Sequence, residues 1–467
     1  MRSNPGGSTL QRTLTRASLR TLLRTMGRLI RQLSCFFFWL SVSGAAVADT
    51  VDARAYVQRA IELIEAGDLR LARTYLAPAL IDPRLSSAER SHAYYVRGYS
   101  YLADGLPVSA SKDYARALEF NPDNGAALVG LGDLYHRGEG VDEDPELAYA
   151  FFASAAEGDH PEASLFIGFA LLQGQGVEQN VDRAREILSA LAETGSKQAM
   201  LYLGRSYREP FAENPDPALA RQWIEKAADA GSVEAKATLG YMQYKGEFGE
   251  PDLATAVQLF EEAAAAGSSS ARVALGHMYL VGDGLPIDPA LARQLLEQAA
   301  EAGDLAGALS LGHIYEAGIG VERDLARAES WYLKGAHAGF GQAQLRLFYL
   351  LLGRGEDANA VHWIAKAAEQ DLPQAQNDYA WLLSTSHIDH IRNGELALTY
   401  AERAVAQVES AAYLDTLAAA YAELGRFPEA VSVQEKALTL VSEAGSEEAK
   451  ALAEHLAAYQ AGEPWRE

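Results

Sequence analysis

A glycine recurs at every thirty-sixth position through the middle of the chain: Gly132, Gly168, Gly204, Gly240, Gly276 and Gly312. Three more columns keep the same step. Asp144, Asn180, Asp216, Asp252, Asp288 and Asp324 follow each glycine by twelve residues. Ala148, Ala184, Ala220, Ala256, Ala292 and Ala328 follow by sixteen, and Ala156, Ala192, Ala228, Ala264, Ala300 and Ala336 by twenty-four. Six copies with four matching columns define a repeat protein. The small columns let helices approach closely where they cross. Gly-x-Gly pairs such as Gly282 and Gly284 suit a tight turn at positive φ. The Asp or Asn suits an N-cap, and Gly195, Gly231, Gly267, Gly303 and Gly339 suit left-handed caps after the second helix. Each unit therefore reads as helix, turn, helix, turn. One such pair cannot bury its apolar face alone, so its neighbours must.

The ends of the chain differ from this array. Residues 1–48 hold seven Arg, no Lys and no acid. The run CFFFWLSVSGAAVA (Cys35 to Ala48), with Arg28 and Arg31 before it and Ala46 and Ala48 in an A-x-A arrangement, has the layout of a secretory signal peptide cleaved before Asp49. The run is short for a membrane span. Met26 would start a leader of ordinary length, so the true start is open between Met1 and Met26. Cys35 is the only cysteine, and a mature chain would carry no thiol or disulfide. The whole chain has a formal charge of −23, and beyond residue 48 the balance is 33 basic against 63 acidic side chains. So acidic a body disfavours nucleic acid and anionic lipid as partners.

The segments AALVGLGDLYHRGEGVDED, ARVALGHMYLVGDGLPID and ALSLGHIYEAGIGVERD, with Leu-Gly-x-x-Tyr, Gly-x-Gly and an acidic cap, resemble the Sel1-like repeat family. The resemblance covers six repeats over residues 123–338. The third copy departs from it, with REPFAENPD (Arg208 to Asp216) in place of Gly-x-Gly. The flanks are similar to tetratricopeptide (TPR) repeats: residues 49–122, with Tyr94, Gly98, Tyr101, Ala110, Tyr114, Ala117 and Pro122 at signature spacing, and residues 339–443, where Phe348 replaces the column glycine. Residues 444–467 read as a capping helix and tail. The expected fold is all-α, a right-handed α/α superhelical solenoid of roughly eleven helix pairs.

No sequence signature of catalysis stands out. There is no G-x-x-x-x-G-K-[ST] and no G-x-S-x-G. His387 and His390 flank Asp389 without a visible third ligand, which fits a polar loop better than a metal site. The expectation is no catalytic residue, no cofactor and no metal. In related solenoids the first helix of each pair lines a concave groove, which the resemblance carries over to the residue after each column glycine. That column holds Asp133, Phe169, Arg205, Tyr241, His277, His313 and Tyr349, with His136, Arg208 and Tyr244 one turn further on. Aromatic and Arg side chains are typical anchors at protein interfaces. The expected function is a non-catalytic scaffold or adaptor of the bacterial cell envelope, periplasmic, holding a protein or peptide in the groove. Two alternatives stay open: a small-ligand or polysaccharide-binding protein or weak enzyme using the same groove, and a spacer that binds through its ends.

Overall fold

The computed structural model describes residues 52–158, 160–208, 211, 215–247, 249–441 and 446–467. The leader over residues 1–48, with Met26 and Cys35, lies outside them. Among the described residues there are twenty-three α-helices and no strand. The backbone divides into two compact units, one ending at Leu239 and one starting at Gly240.

In the first unit the helices pair as α1 (Ala53–Glu65) with α2 (Leu69–Ile81), α3 (Ser87–Ala103) with α4 (Pro107–Phe120), α5 (Gly125–Arg137) with α6 (Pro145–Ala156), α7 (Pro161–Gln173) with α8 (Val181–Glu193), and α9 (Lys197–Arg205) with α10 (Pro217–Asp229). Helix α11 (Val233–Lys245) carries the division. The second unit continues with α12 (Leu253–Ala265), then pairs α13 (Ser269–Val281) with α14 (Pro289–Glu301), α15 (Leu305–Ala317) with α16 (Leu325–His337), α17 (Gly341–Leu352) with α18 (Asp357–Ala368), α19 (Pro373–Thr385) with α20 (Gly394–Gln407), and α21 (Ala411–Glu423) with α22 (Phe427–Leu440). Helix α23 (Glu447–Gln460) follows as the closing element. From α1 to α10, and again from α12 to α23, each helix packs on the one before it and the one after it. No helix among the described residues is long and apolar enough to cross a membrane.

The repeat columns have direct physical counterparts. A Cβ at Gly132 would lie 2.8 Å from the Phe152 ring, one at Gly204 2.5 Å from Ile224, and one at Gly312 2.2 Å from the Tyr332 ring. Gly168, Gly240 and Gly276 stand in the same way against Leu188, Phe260 and Leu296. In every copy the partner lies twenty residues on and is buried. The glycine is thus the socket for one large side chain of the second helix, which interlocks each pair at interior packing density. In the shorter unit at Gly98 the partner stands sixteen residues on, as Tyr114.

The polar column caps the second helices as expected. Asp144 accepts from the Leu147 N–H at 2.9 Å, Asn180 from Arg183 at 2.9 Å, Asp252 from Thr255 at 3.0 Å and Asp324 from Arg327 at 3.0 Å. The first glycine of each regular Gly-x-Gly pair is a left-handed C-cap, as at Gly138 (φ 65°) and Gly318 (φ 72°). The second glycine has a further role that turn chemistry alone did not reveal. At Gly176 a Cβ would lie 2.0 Å from the Pro145 carbonyl oxygen, and at Gly320 2.4 Å from Pro289. Each turn is therefore pressed against the start of the preceding repeat's second helix.

The C-terminal tail folds back onto the second unit. The Glu467 N–H donates to the Thr385 carbonyl at 2.8 Å, and the Trp381 indole donates to the Glu467 carboxylate at 2.9 Å. Arg466 pairs with Glu423 at 2.6 Å. On α23, His455 meets Asp415 at 2.8 Å, and Gln434 donates to that same carboxylate at 2.6 Å. The last helix is thereby keyed to α21 and α22 by buried polar contacts as well as by apolar packing.

Candidate binding surface

The first helices of the repeats present one row of side chains at the positions that follow the column glycine. Their packing differs along the chain. Arg205 is half-buried, and its guanidinium donates to the Glu234 carboxylate at 2.8 Å and to the Thr238 hydroxyl at 3.3 Å, both on the next first helix. His277 meets the Ser310 hydroxyl of the next repeat at 2.8 Å, and desolvation lowers its pKa. The Tyr349 hydroxyl donates to Asp378. The Tyr244 hydroxyl, one turn further on in its repeat, donates to Asp283 in the following Gly-x-Gly turn at 2.7 Å. These four residues clasp successive repeats together, a use of the row that the sequence pattern alone did not reveal.

The other predicted residues stand as follows. Tyr241 is 47% exposed, with the Lys245 ammonium 5.6 Å from its ring centre. Arg208 is half-buried beyond the end of α9. His313 is exposed and shares a shallow polar hollow of about 390 Å³ with Glu316, Arg323 and Arg346. Phe169 is half-buried in a much larger feature. The structure does not bring the predicted residues into one cluster; among the described residues Phe169, with Asp133 and His136, lines one trench. In the loop after α19, Asp389 is committed to Arg392 at 2.6 Å. Among the described residues no three His, Cys, Asp or Glu side chains are placed to hold a metal ion.

The feature around Phe169 is a trench of about 610 Å³ across four consecutive first helices of the first unit. Helix α3 supplies Tyr95, Tyr99 and Leu102 as one wall. Helix α7 supplies Glu162, Leu165, Phe166 and Phe169 as the other, extended by Tyr202 of α9. Between them α5 contributes the small Ala126 and Gly130 with Val129, so the floor is low. Tyr114 and Phe152 close the base. Gly130 has to be small, because a Cβ there would lie 2.7 Å from the Tyr114 ring.

The rings are fixed by one another. Phe166 stacks on Phe152 at 3.8 Å between centres and receives the edge of His136 at 4.8 Å. Phe169 lies 5.2 Å from Tyr202, and Tyr95 packs on Tyr114 at 5.8 Å. Such offset and edge contacts are favourable beyond simple burial. Tyr99 is 48% exposed, the most open of the ring residues here. Asp133 on the floor is occupied by Arg137 at 2.9 Å. Burial raises the Tyr95 hydroxyl pKa, with the negative charge of Glu162 adding to it.

Sequence reasoning missed Tyr95, Tyr99, Phe166 and Tyr202. Tyr99 was within reach, since it follows Gly98 as Phe169 follows Gly168. The 34-residue step between Gly98 and Gly132 hid it from a 36-residue column. Phe166 and Tyr202 stand three residues before Phe169 and Arg205, and so form a second row on the same helix faces.

The Sel1 repeat family model matches eight consecutive segments: 125–160, 161–196, 197–232, 233–268, 269–304, 306–340, 341–372 and 373–407. The chain belongs to the Sel1-repeat family. The eight Sel1 repeats cover more than half of the 467 residues and run on through α17 to α20. Among solved structures, the chain is similar to a protective antigen present in uropathogenic Escherichia coli strains that displays an SLR fold. That likeness has 25% identity and a TM-score of 0.43 over 88% of this chain and 84% of that one. A Sel1 repeat protein from Oxalobacter formigenes is 26% identical, with a TM-score of 0.41, over 50% of this chain and 95% of that one. The APC/C hetero-tetramer Cut9–Hcn1 matches at 14% identity and a TM-score of 0.51 over 88% and 77%, a likeness of fold alone. No curated protein matches the chain. The Sel1 repeat fold is of the kind that serves protein–protein interaction and is generally non-enzymatic.

Proposed function

We propose that this Sel1-repeat protein is a non-catalytic scaffold of the bacterial cell envelope, and that it holds a segment of a partner protein in the aromatic trench of its first unit. One observation carries the reading: five ring side chains from three of four consecutive repeats, Tyr95, Tyr99, Phe166, Phe169 and Tyr202, line one trench over a floor of small residues. Rigid aromatic side chains lose little entropy on binding and are the usual anchors of interfaces. Asp133 in the lining is already paired with Arg137. The envelope assignment rests on the leader-like layout of residues 1–48. A polysaccharide strand is the second reading, because the exposed Tyr99 face would suit a sugar ring as well.

The test is co-purification from the periplasm of a strain expressing the full chain. Wild type is compared with the double variant Phe169→Ala, Tyr202→Ala and with Glu261→Ala, which alters an exposed position on α12. Circular dichroism confirms folding. A protein retained by wild type and Glu261→Ala and lost by the double variant supports the proposal. Identical partners for all three would sink it.

A further inference from the structure

We infer that the trench takes a basic side chain, arginine or lysine, carried on an otherwise apolar segment of the partner protein. This rests on the reading of the trench as a protein-binding site and adds the chemistry of the occupant.

An aromatic ring carries negative potential on its face and attracts a cation placed over it. This molecule uses that contact widely: Lys226 over Trp223 at 3.9 Å, Lys334 over Trp331 at 3.7 Å, Arg426 over Tyr421 at 4.4 Å. Among the described residues no Lys or Arg lies over Tyr95, Tyr99, Phe166, Phe169 or Tyr202. The trench gathers five rings with no cation over any of them among the described residues.

Charge favours the same occupant. Glu162, on the first turn of α7, is exposed and makes no hydrogen bond or ion pair with the described residues. It lines the trench and acts electrostatically on the Tyr95 hydroxyl of the opposite wall. The lining's one arginine, Arg137, is neutralised on Asp133. That leaves one uncompensated negative charge in a molecule of formal charge −23. A guanidinium or ammonium between the walls would lie among the rings of both walls, with the Glu162 carboxylate at one edge. Leu102, Val129 and Leu165 would receive the apolar neighbours of that side chain. An acidic segment would meet like charge and find no free donor cation in the lining.

The experiment pans a random dodecapeptide phage library against the protein recovered from the periplasm of a strain expressing the full chain. Peptides are kept when binding is lost on Tyr99→Ala and on Phe169→Ala and retained on Glu261→Ala. Enrichment of Arg or Lys beside apolar residues is expected among them. Glu162→Lys should weaken the best synthetic peptide about tenfold, and replacing its basic residue by norleucine should weaken it about fivefold. Trench-dependent peptides without basic enrichment, or with affinity unmoved by Glu162→Lys, would overturn the inference and leave the scaffold reading standing. The absence of any trench-dependent peptide would overturn both.

Discussion

Each column glycine is matched to one side chain, and the match is steric. At Gly312 a Cβ would lie 2.2 Å from the buried Tyr332 ring, so Gly312→Ala must push α15 and α16 apart or force the ring off its rotamer. Overpacking of this kind costs about 1–3 kcal/mol. Gly303 has φ of 91° with nothing within 4 Å of a Cβ, so Gly303→Ala should cost only the left-handed backbone, about 1 kcal/mol. Chemical denaturation of the two variants should show Gly312→Ala as the more damaging. The column was plain in the sequence because glycine is invariant along it. Its partner was not, because Phe152, Leu188, Ile224, Phe260, Leu296 and Tyr332 share only bulk.

A second residue-scale effect concerns acid. Glu89 closes a capping box with Ser86 at the start of α3 and pairs with Arg54 at 2.5 Å. The Arg54 hydrogen bond, followed by those from Ser86, holds its carboxyl down to about 2. A folded value below the unfolded one means the contribution is complete above the ordinary carboxylate range and is lost as pH falls through about 4 toward 2. Glu89→Gln should lower the melting temperature at pH 7, and the gap to wild type should close as pH falls to 2.5. A gap that stays constant with pH would contradict this assignment.

At the scale of the element, the capping residues set where each second helix begins. Asp324 accepts from both the Ala326 and Arg327 N–H groups, and Asp324→Ala should cost about 1 kcal/mol. Asp324→Asn should recover most of it, since Asn180 does the same work in the second copy. Thermal melts of the two variants provide the check. This level was the most legible in the sequence, because caps and left-handed turns depend on one residue type at one position. The row along the first helices was less legible. The pattern suggests groove anchors, and in the structure Arg205, His277 and Tyr349 bond the next repeat. A polar residue on a solenoid face can serve its neighbour or a ligand, and the chain alone carries no sign of which. The third copy shows the same limit. REPFAENPD marked a departure, and the structure gives it a first helix of nine residues, α9, where a regular copy has thirteen.

At the scale of the whole molecule, a stack of helix pairs follows from the repeat, because each pair buries its faces only on the next. The trench does not follow from it. It depends on residues from α3 to α9 whose spacing changes from 34 to 36 at the join between the unit of Gly98 and the first Sel1 repeat. Only contact in three dimensions collects Tyr99, Phe166, Phe169 and Tyr202. The measurement that tests the central claim most directly is photo-crosslinking in the periplasm, with a photoreactive residue at Tyr99 and a control at Glu261. A discrete protein adduct at Tyr99 and none at Glu261 is the predicted result. A folded, exported protein that gives no adduct at Tyr99, or the same adduct at both positions, would contradict the trench as the binding site.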